Sequence, residues 1–304
     1  MTSTTSSAVD SIEQYVTANG RPFDVARLQH VVRSGSAQAV VAALADFQNE
    51  DGGFGHGLES DLRLPDSSPI CTWVALGHLR QLKIPAQELM VCRALDYLQA
   101  SYDTDAGRWL PVSAAVNAYP HAAWWHFEAD KGGTDIHKTP WNPTAALTGY
   151  LWHYGFSGSV SLDALSEGVI TYLRSKTDTD LGMHELRCLV QLAELAPEPH
   201  AGPLRELTTA AVERIIERER GEWDGYGAQP LIFVEDPDSF LYEALKDVVD
   251  DNLTYVLETL GDDGAWKLPY QWYRDEEEFE RLRPEITASY AVHRICVLRA
   301  FGRL

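Results

Sequence analysis

The sequence predicts an all-α fold with two concentric layers of helices, apolar ones inside and amphipathic ones outside. Apolar residues recur at the i, i+3, i+4 and i+7 spacing of a helix along most of the 304 residues, whereas alternating β-type runs are few. A helix that is apolar on all sides is typically buried, and one with a single apolar stripe covers a core. The predicted helices are 8–18, 23–34, 36–49, 67–82, 86–101, 143–155, 160–175, 181–195, 203–220, 239–260 and 285–301.

The two kinds of helix roughly alternate along the chain. Segments 68–79, 142–154 and 286–298 are apolar nearly all round, so we assign them to the inner layer. Segments 203–220 and 239–260 have one charged face and are assigned to the outer layer. This alternation is what an inner ring wrapped by outer helices requires.

Polar residues precede the inner helices. Asp66-Ser-Ser-Pro, Asn142-Pro-Thr and Asp180 stand where helices are expected to begin. Asp and Asn at such positions accept hydrogen bonds from the first backbone N–H groups, and Pro is favoured in the first turn. We therefore interpret Asp66 first as an N-cap and second as a catalytic acid.

The loops indicate one domain with function at one end. No Gly/Ser linker or charge block divides the chain, so residues 1–304 are predicted to form a single domain. The longest stretches without helical periodicity are 50–66, 102–141, 221–238 and 261–284. Loops of this length are usually functional, and these lie beside inner helices, so we expect them to gather at one end of the ring.

The composition narrows the class of partner. With 45 acidic and 25 basic residues the net charge is −20, which repels nucleic acid and anionic membranes. No window is apolar enough to span a membrane, and the first ten residues do not resemble a secretory signal, so a cytoplasmic location is expected. Four Cys are interpreted as buried hydrophobes in a reducing compartment. They are Cys71, Cys92, Cys188 and Cys296.

A short element of glycine and an aromatic residue recurs where outer helices end. It occurs at 47–55 and 257–266, with a weaker copy at 98–109 and a degenerate one at 223–227. Glycine permits the turn that ends the helix, and the aromatic residue folds back to fix it. Repetition of this kind indicates stacked helical hairpins.

On these residues the sequence resembles the α/α-toroid superfamily, which includes triterpene cyclases such as squalene–hopene cyclase and the β subunits of protein prenyltransferases. The resemblance covers residues 36 to 301 and implies an (α/α)5–6 toroid with a central cavity for an isoprenoid or similar apolar molecule. It is carried by Gln48, Asp51, Gly52, Gly53 and Phe54, by Asp263-Gly-Ala-Trp266 and by Asp66-Ser-Ser-Pro.

The sequence departs from the superfamily at its chemical motifs. The cyclase motif D-x-D-D is matched only in part by Asp178-Thr179-Asp180-Leu181, which lacks the fourth acid. The prenyltransferase zinc ligands are not reproduced either, because Asp66 and Cys71 are five residues apart. We expect no metal and no cofactor.

The segment from Gly55 to Arg63 is the first candidate site. It places His56, Glu59, Asp61 and Arg63 directly before an inner helix. Two carboxylates that share a site raise the pKa of one of them, which keeps an acid protonated near neutral pH. A solvated, salt-bridged loop is the alternative.

Aromatic residues form the second candidate site. The segment 118–127 contains His121, Trp124, Trp125 and Phe127, too many large side chains for an exposed loop. If these rings face the central cavity, they can stabilise cations there. The alternative is that the loop seals one end of the ring and the rings are ordinary hydrophobic core. Trp73, Trp141 and Trp152 are further candidates for substrate binding, and His184-Glu185 is a candidate pocket pair.

The leading hypothesis is a terpenoid-cyclase-like enzyme that protonates an apolar small molecule and so starts a cyclisation or isomerisation. Glu59 or Asp61 would be the acid, with His56, Asp66 and Asp180 as further catalytic candidates, and the chain could form a homodimer. Two alternatives remain open. One is a carbohydrate-active α/α-barrel enzyme with paired carboxylates, and the other is a non-catalytic toroid that binds a small molecule.

Overall fold

The computed structural model describes residues 2–176 and 181–304, and every regular element in them is helical. Within these residues the only β-type pairing is a set of isolated bridges. The all-α prediction is therefore confirmed. The chain divides into two compact units, one of Met1–Ala45 with Glu217–Leu304 and one of Asp46–Ile216. The single domain over residues 1–304 stays a prediction.

The described residues contain twelve α-helices, and each of the eleven predicted segments overlaps one of them. They are α1 (Thr2–Asn19), α2 (Pro22–Arg33), α3 (Ala37–Leu44), α4 (Pro69–Gln81), α5 (Leu89–Ala100), α6 (Thr144–His153), α7 (Leu162–Ser175), α8 (Met183–Leu195), α9 (Ala201–Ile215), α10 (Pro230–Phe233), α11 (Tyr242–Glu258) and α12 (Glu276–Ala300).

The largest differences from the sequence prediction are at α10 and α12. The four-residue helix α10 lies inside the predicted loop 221–238, since it is too short to show a helical period. Helix α12 begins nine residues before 285 and runs through Pro284. Three glutamates, Glu276 to Glu278, occupy its first turn, where carboxylates stabilise the positive end of the helix dipole. These glutamates stabilise the helical residues that precede Pro284.

The unit Asp46–Ile216 has a row of helices with others packed beside it. Helix α6 packs against α4, α7 and α8; α5 packs against α4, and α9 packs against α7 and α8. Every residue of α6 from Thr144 to Leu151 is buried, as its uniform apolar sequence predicts. Helix α6 therefore lies in the interior of this unit.

The other unit is arranged around α12. This helix packs against α1 and α2, while α2 also packs against α1 and α3, and α10 packs against α11. Helix α2 buries Phe23 and Leu28 together with the charged residues Asp24 and Arg27. Arg21 binds the Asp24 carboxylate at 2.7 Å, so the buried charge is compensated.

The glycine–aromatic element forms the same turn in both units. At the first copy, Asn49 N donates to Gly53 O at 2.9 Å and Gly52 N donates to Asn49 O at 3.0 Å. The Asp51 carboxylate accepts a further bond from Gly53 N at 3.0 Å. These contacts close the chain into a tight turn after α3.

The second copy, 212 positions later in the sequence, repeats these bonds. Gly261 N donates to Ala265 O at 2.9 Å, Gly264 N donates to Gly261 O at 3.0 Å, and Asp263 accepts from Ala265 N at 3.2 Å. The Trp266 indole then donates to Val256 O at 2.7 Å, back on α11. The predicted repeat is therefore a real structural repeat.

The glycines of these turns are fixed by backbone conformation and by space. Gly52 has φ +92° and Gly264 has φ +82°, which L-residues with a Cβ disfavour. A Cβ at Gly52 would lie 2.2 Å from Arg93 O, and one at Gly264 would lie 2.2 Å from Ser11 O. Each glycine thus allows the turn to pack on the backbone of another helix.

The N-cap interpretation of Asp66 is wrong. The N-cap of α4 is Ser68, whose hydroxyl accepts a bond from Cys71 N at 3.3 Å, and Asp66 is exposed two residues earlier. A serine directly before Pro69 reaches the first turn, which the more distant aspartate does not. The N-cap of α6 is Pro143 and not Asn142, and Asp180 lies outside the described residues.

None of the described helices combines the length and apolar character that crossing a membrane requires. The four cysteines are free thiols; Cys71 and Cys188 are buried, and Cys92 and Cys296 are half-buried. Their interpretation as unpaired, largely buried residues is confirmed.

Candidate functional site

The two loops chosen from the sequence lie side by side in the unit Asp46–Ile216. Arg63 N donates to Pro120 O and Ala122 N donates to Asp61 O, both at 2.9 Å. Because side chains alternate along extended backbone, Leu62 and His121 share the buried face of this pair. Asp61 and Arg63, on either side of Leu62, are half-buried.

The polar residues of the first loop differ in their exposure to solvent. His56 is exposed, has φ +54°, and its Nε2 lies 2.8 Å from Asn49 Oδ1. Glu59 and Asp61 are half-buried, with a long bond of 3.5 Å from Asp61 N to Glu59 Oε1. Asp66 is exposed. This loop therefore places its acids nearer solvent than a desolvated acid requires.

The aromatic candidates lie in three places. In the second loop Trp125 is buried, and Trp124 and Phe127 are half-buried. On α4, the Trp73 indole donates to Gln191 Oε1 at 2.8 Å. Trp152 lies at the far end of α6 and donates to Ser166 Oγ at 3.2 Å, so it is separated from the loops by the length of that helix.

The backbone N–H of Trp141 donates a hydrogen bond to Glu185, a carboxylic acid at the start of α8. The Glu185 side chain is inside the unit, and the residue is only 2% exposed. Its Oε1 accepts a bond from Trp141 N at 3.1 Å, and its Oε2 accepts one from the Tyr172 hydroxyl at 2.8 Å. Helix α8, the segment before α6 and helix α7 thus meet at this carboxyl group.

Burial raises the pKa of the Glu185 carboxyl above its ordinary value. The two hydrogen bonds act in the opposite direction, as do the positive charges of Lys176 and Arg108, but the desolvation is larger. The protonated form is therefore favoured compared with an exposed glutamate. Glu185 thus combines burial with a raised pKa.

Rings and cations surround the carboxyl group. The Trp141 and Tyr172 rings meet edge to face with centroids 6.2 Å apart. The Lys176 ammonium lies 4.7 Å from the centroid of the Tyr172 ring, a cation–π contact. Aromatic rings and positive charge therefore both lie close to this carboxyl group.

A buried histidine is affected by one of these cations. His137 is 9% exposed, and its Nδ1 accepts a bond from Thr134 N at 3.0 Å. Since Nδ1 is an acceptor, the proton of the neutral ring is on Nε2, which is buried and forms no hydrogen bond with any residue that the structure describes. Burial, and then the charge of Arg108, lowers the pKa of His137 to about 4. The charge of Arg108 therefore acts on both His137 and Glu185.

The pKa of His184, next to Glu185, is also shifted. Burial lowers it to about 4, and the charge of Arg187 contributes less. Arg187 also stacks over the Trp73 ring at 5.5 Å. Trp73 and His184 are thus linked through Arg187.

Sequence reasoning identified this site only in part. The pair His184-Glu185 and the residues Trp73 and Trp141 were candidates, but Arg108, His137 and Tyr172 were not. Arg108 follows the glycine of a corner element, and Tyr172 faces inward from an outer helix. Neither position has a sequence signal that separates it from an ordinary surface residue.

Within residues 2–176 and 181–304, no cluster of three or more His, Cys, Asp or Glu side chains could hold a metal ion. Comparison with models of known protein families finds no match to this chain, and comparison with curated proteins finds no significant relative. The candidate site is therefore defined by its own geometry.

Proposed function

We propose that this chain is an α/α-toroid enzyme that starts a reaction of an apolar small molecule by protonating it. Two observations support the toroid. Within the unit Asp46–Ile216 the helices α4, α6 and α8 pack in a row with α5, α7 and α9 beside them. The glycine–aromatic corner also recurs with the same hydrogen bonds in both units, as stacked hairpins require.

The acid in this proposal is Glu185 in place of Glu59 or Asp61. The observation that carries it is a carboxyl group that is 2% exposed, has a raised pKa and accepts bonds from the Trp141 backbone N and the Tyr172 hydroxyl. A protonated carboxylic acid away from water can donate to a weak base such as an alkene, because the competing solvent base is excluded.

In the proposed step, a proton moves from the Glu185 carboxyl group to the alkene of the substrate. The O–H bond of Glu185 breaks, a C–H bond forms on one alkene carbon, and the other carbon becomes a cation. The resulting carboxylate keeps its bonds from Trp141 N and the Tyr172 hydroxyl, which favour the charged form. The neighbouring aromatic rings stabilise the cation. An isoprenoid, apolar and rich in alkenes, is the proposed substrate class.

The test is incubation with a panel of isoprenoid alcohols, diphosphates and hydrocarbons, followed by mass spectrometry of the products. We expect the wild type to convert at least one of them and Glu185→Gln to lose at least ~100-fold in rate, the scale of general acid catalysis. Glutamine keeps the shape of the side chain and can still accept from Trp141 N.

The matched controls are Glu59→Gln and Asp61→Asn, which remove acids from the loop 55–63 and should retain most of the wild-type rate. Full activity in Glu185→Gln, with loss in either loop variant, would contradict the assignment of the acid. Hydrolysis of a glycoside panel by the wild type, with no change in any isoprenoid, would contradict the substrate class and favour a carbohydrate enzyme.

A further inference from the structure

A pair of histidines in the loop 119–127 is joined by a hydrogen bond between the rings. His121 Nε2 lies 3.1 Å from His126 Nδ1, and His121 Nδ1 lies 2.6 Å from Tyr119 O. The centroids are 5.4 Å apart and the ring planes differ by 2°. The centroid separation exceeds the distance between the two bonded nitrogens by roughly two imidazole ring radii. The rings therefore lie edge to edge in one plane, as an in-plane hydrogen bond requires.

The backbone carbonyl fixes which nitrogen carries each proton. Tyr119 O can only accept, so His121 Nδ1 must be the donor. In the neutral ring, His121 Nε2 is then a bare acceptor, and His126 Nδ1 has to supply the proton of the bond between the rings. The neutral His126 ring is therefore left with a bare Nε2.

The loop holds this arrangement in place. His121 is 1% exposed, and Ala122 N donates to Asp61 O at 2.9 Å directly after it. Beyond His126, Phe127 N donates to Asn117 Oδ1 at 2.9 Å and Asn117 Nδ2 donates to Phe127 O at 2.8 Å. Both ends of the pair are thus fixed by the backbone.

The His126 side chain is accessible while its partner is not. It is half-buried, and none of the described residues forms a hydrogen bond with its Nε2. Trp124 and Phe127 of the same loop are half-buried as well, so this loop also exposes parts of aromatic rings. An accessible lone pair on such a loop suits a hydroxyl group on an apolar molecule.

We infer that His121 holds His126 in its Nδ1–H form and presents the bare Nε2 as the acceptor for a hydroxyl group of a small apolar ligand. The inference stands on the loop geometry and does not require Glu185 to act as an acid. If the proposed function also holds, His126 gives the site an acceptor in addition to its acid.

The experiment is a long-range 1H–15N correlation spectrum of the histidine rings at pH 8, recorded on the full chain. We expect both His121 and His126 as the Nδ1–H tautomer, the form that free imidazole side chains disfavour. In His121→Phe, which removes the acceptor, His126 should revert mainly to the Nε2–H form. In His121→Gln, whose amide oxygen can accept from Nδ1, the Nδ1–H form should be retained.

The probe for the ligand is p-cresol, a neutral phenol at this pH. We expect it to shift the 15N signal of His126 Nε2 upfield in the wild type and to leave it unchanged in His121→Phe. A wild-type His126 that is mainly Nε2–H would overturn the tautomer assignment, and an unshifted Nε2 signal at saturating p-cresol would overturn the ligand assignment. Neither result depends on catalytic turnover.

Discussion

Desolvation acts on an acid and a base in the same region with opposite effects on their pKa values. It raises the pKa of Glu185 and lowers the pKa of His137, so both groups favour their uncharged forms. Arg108 opposes the first shift and adds to the second. A neutral acid and a neutral imidazole can both donate hydrogen bonds, which is the state that binding or protonating a weak base requires.

The His137 shift predicts how stability depends on pH. Its pKa is about 4 in the folded chain and 6.5 when exposed, so the unfolded chain binds more protons between these values. The stabilisation is complete above pH 6.5 and is lost as the pH falls towards 4. His137→Gln keeps an acceptor for Thr134 N but cannot titrate.

The measurement is the free energy of unfolding in urea at pH 7.5 and pH 5. We expect the decrease between the two pH values to be smaller in His137→Gln than in the wild type. His56→Gln, at an exposed site, is the control and should follow the wild type. An unchanged decrease in His137→Gln would show that His137 is not buried as a neutral ring.

At the level of single residues, sequence could suggest candidates but not their environments. The acids of the loop 55–63 were favoured because they are close in sequence, and the structure places Glu59 and Asp61 half-buried. Glu185 was a minor candidate, since its partners Trp141 and Tyr172 are 44 and 13 residues away. Desolvation depends on such distant packing, which spacing along the chain does not reveal.

Helices and corners were more predictable than side-chain environments. Helical periodicity in the sequence predicts every described α-helix except the four-residue α10. The glycine–aromatic pattern predicts the positions of the corners at 47–55 and 257–266. The errors fell at helix boundaries, both at starts, as in α12, and at ends, as in α3 and α9. Ser68 and Asp66 are both good N-cap residues, and only the backbone conformation at Ser68 shows which of them caps α4.

The corner glycines Gly52 and Gly264 can be compared with Gly132, which also has a positive φ but has free space around an added Cβ. Gly52→Ala adds a Cβ to a backbone with φ +92° and brings it within 2.2 Å of Arg93 O. Gly132 has φ +70°, but nothing lies within 4 Å of its added Cβ. We expect Gly132→Ala to cost ~1–2 kcal/mol of unfolding free energy from backbone strain alone.

Gly52→Ala should cost clearly more than Gly132→Ala, because the turn must move away from α5. Gly264→Ala should behave like Gly52→Ala, since its Cβ meets Ser11 O at the same distance. Chemical denaturation of the three variants measures the differences. Equal costs for Gly52→Ala and Gly132→Ala would argue against close packing of the corner on the helix.

The cap of α4 gives a second test at this level. Ser68→Ala removes the hydroxyl that accepts from Cys71 N and should cost ~1 kcal/mol. Asp66→Ala, at an exposed residue outside the helix, should change the unfolding free energy by less than half of that. The reverse order in urea denaturation would restore Asp66 as the effective cap.

For the whole molecule, the toroid proposal predicts cooperative unfolding. Two compact units are defined by their internal packing, and one of them is built from both ends of the chain. Sequence indicated a single domain because no linker separates them. If the helices close into one ring, calorimetry should show a single transition with a calorimetric to van't Hoff enthalpy ratio of about one.

Two resolved transitions, each removed by destabilising a different unit, would contradict the ring. Gly52→Ala and Gly264→Ala serve here as matched variants, because they place the same change in different units. Under the toroid proposal both should lower the single transition temperature. Under independent unfolding each should lower one transition and leave the other in place.

The protonation state of Glu185 tests the central claim most directly. An infrared titration of the wild type and Glu185→Gln, compared as a difference spectrum, isolates the carboxyl stretch of this one side chain. We predict a protonated-acid band, absent from Glu185→Gln, that persists above pH 4.5, the ordinary value for glutamate. A band that is already lost below pH 4.5 would show a carboxylate at neutral pH and would contradict Glu185 as the acid.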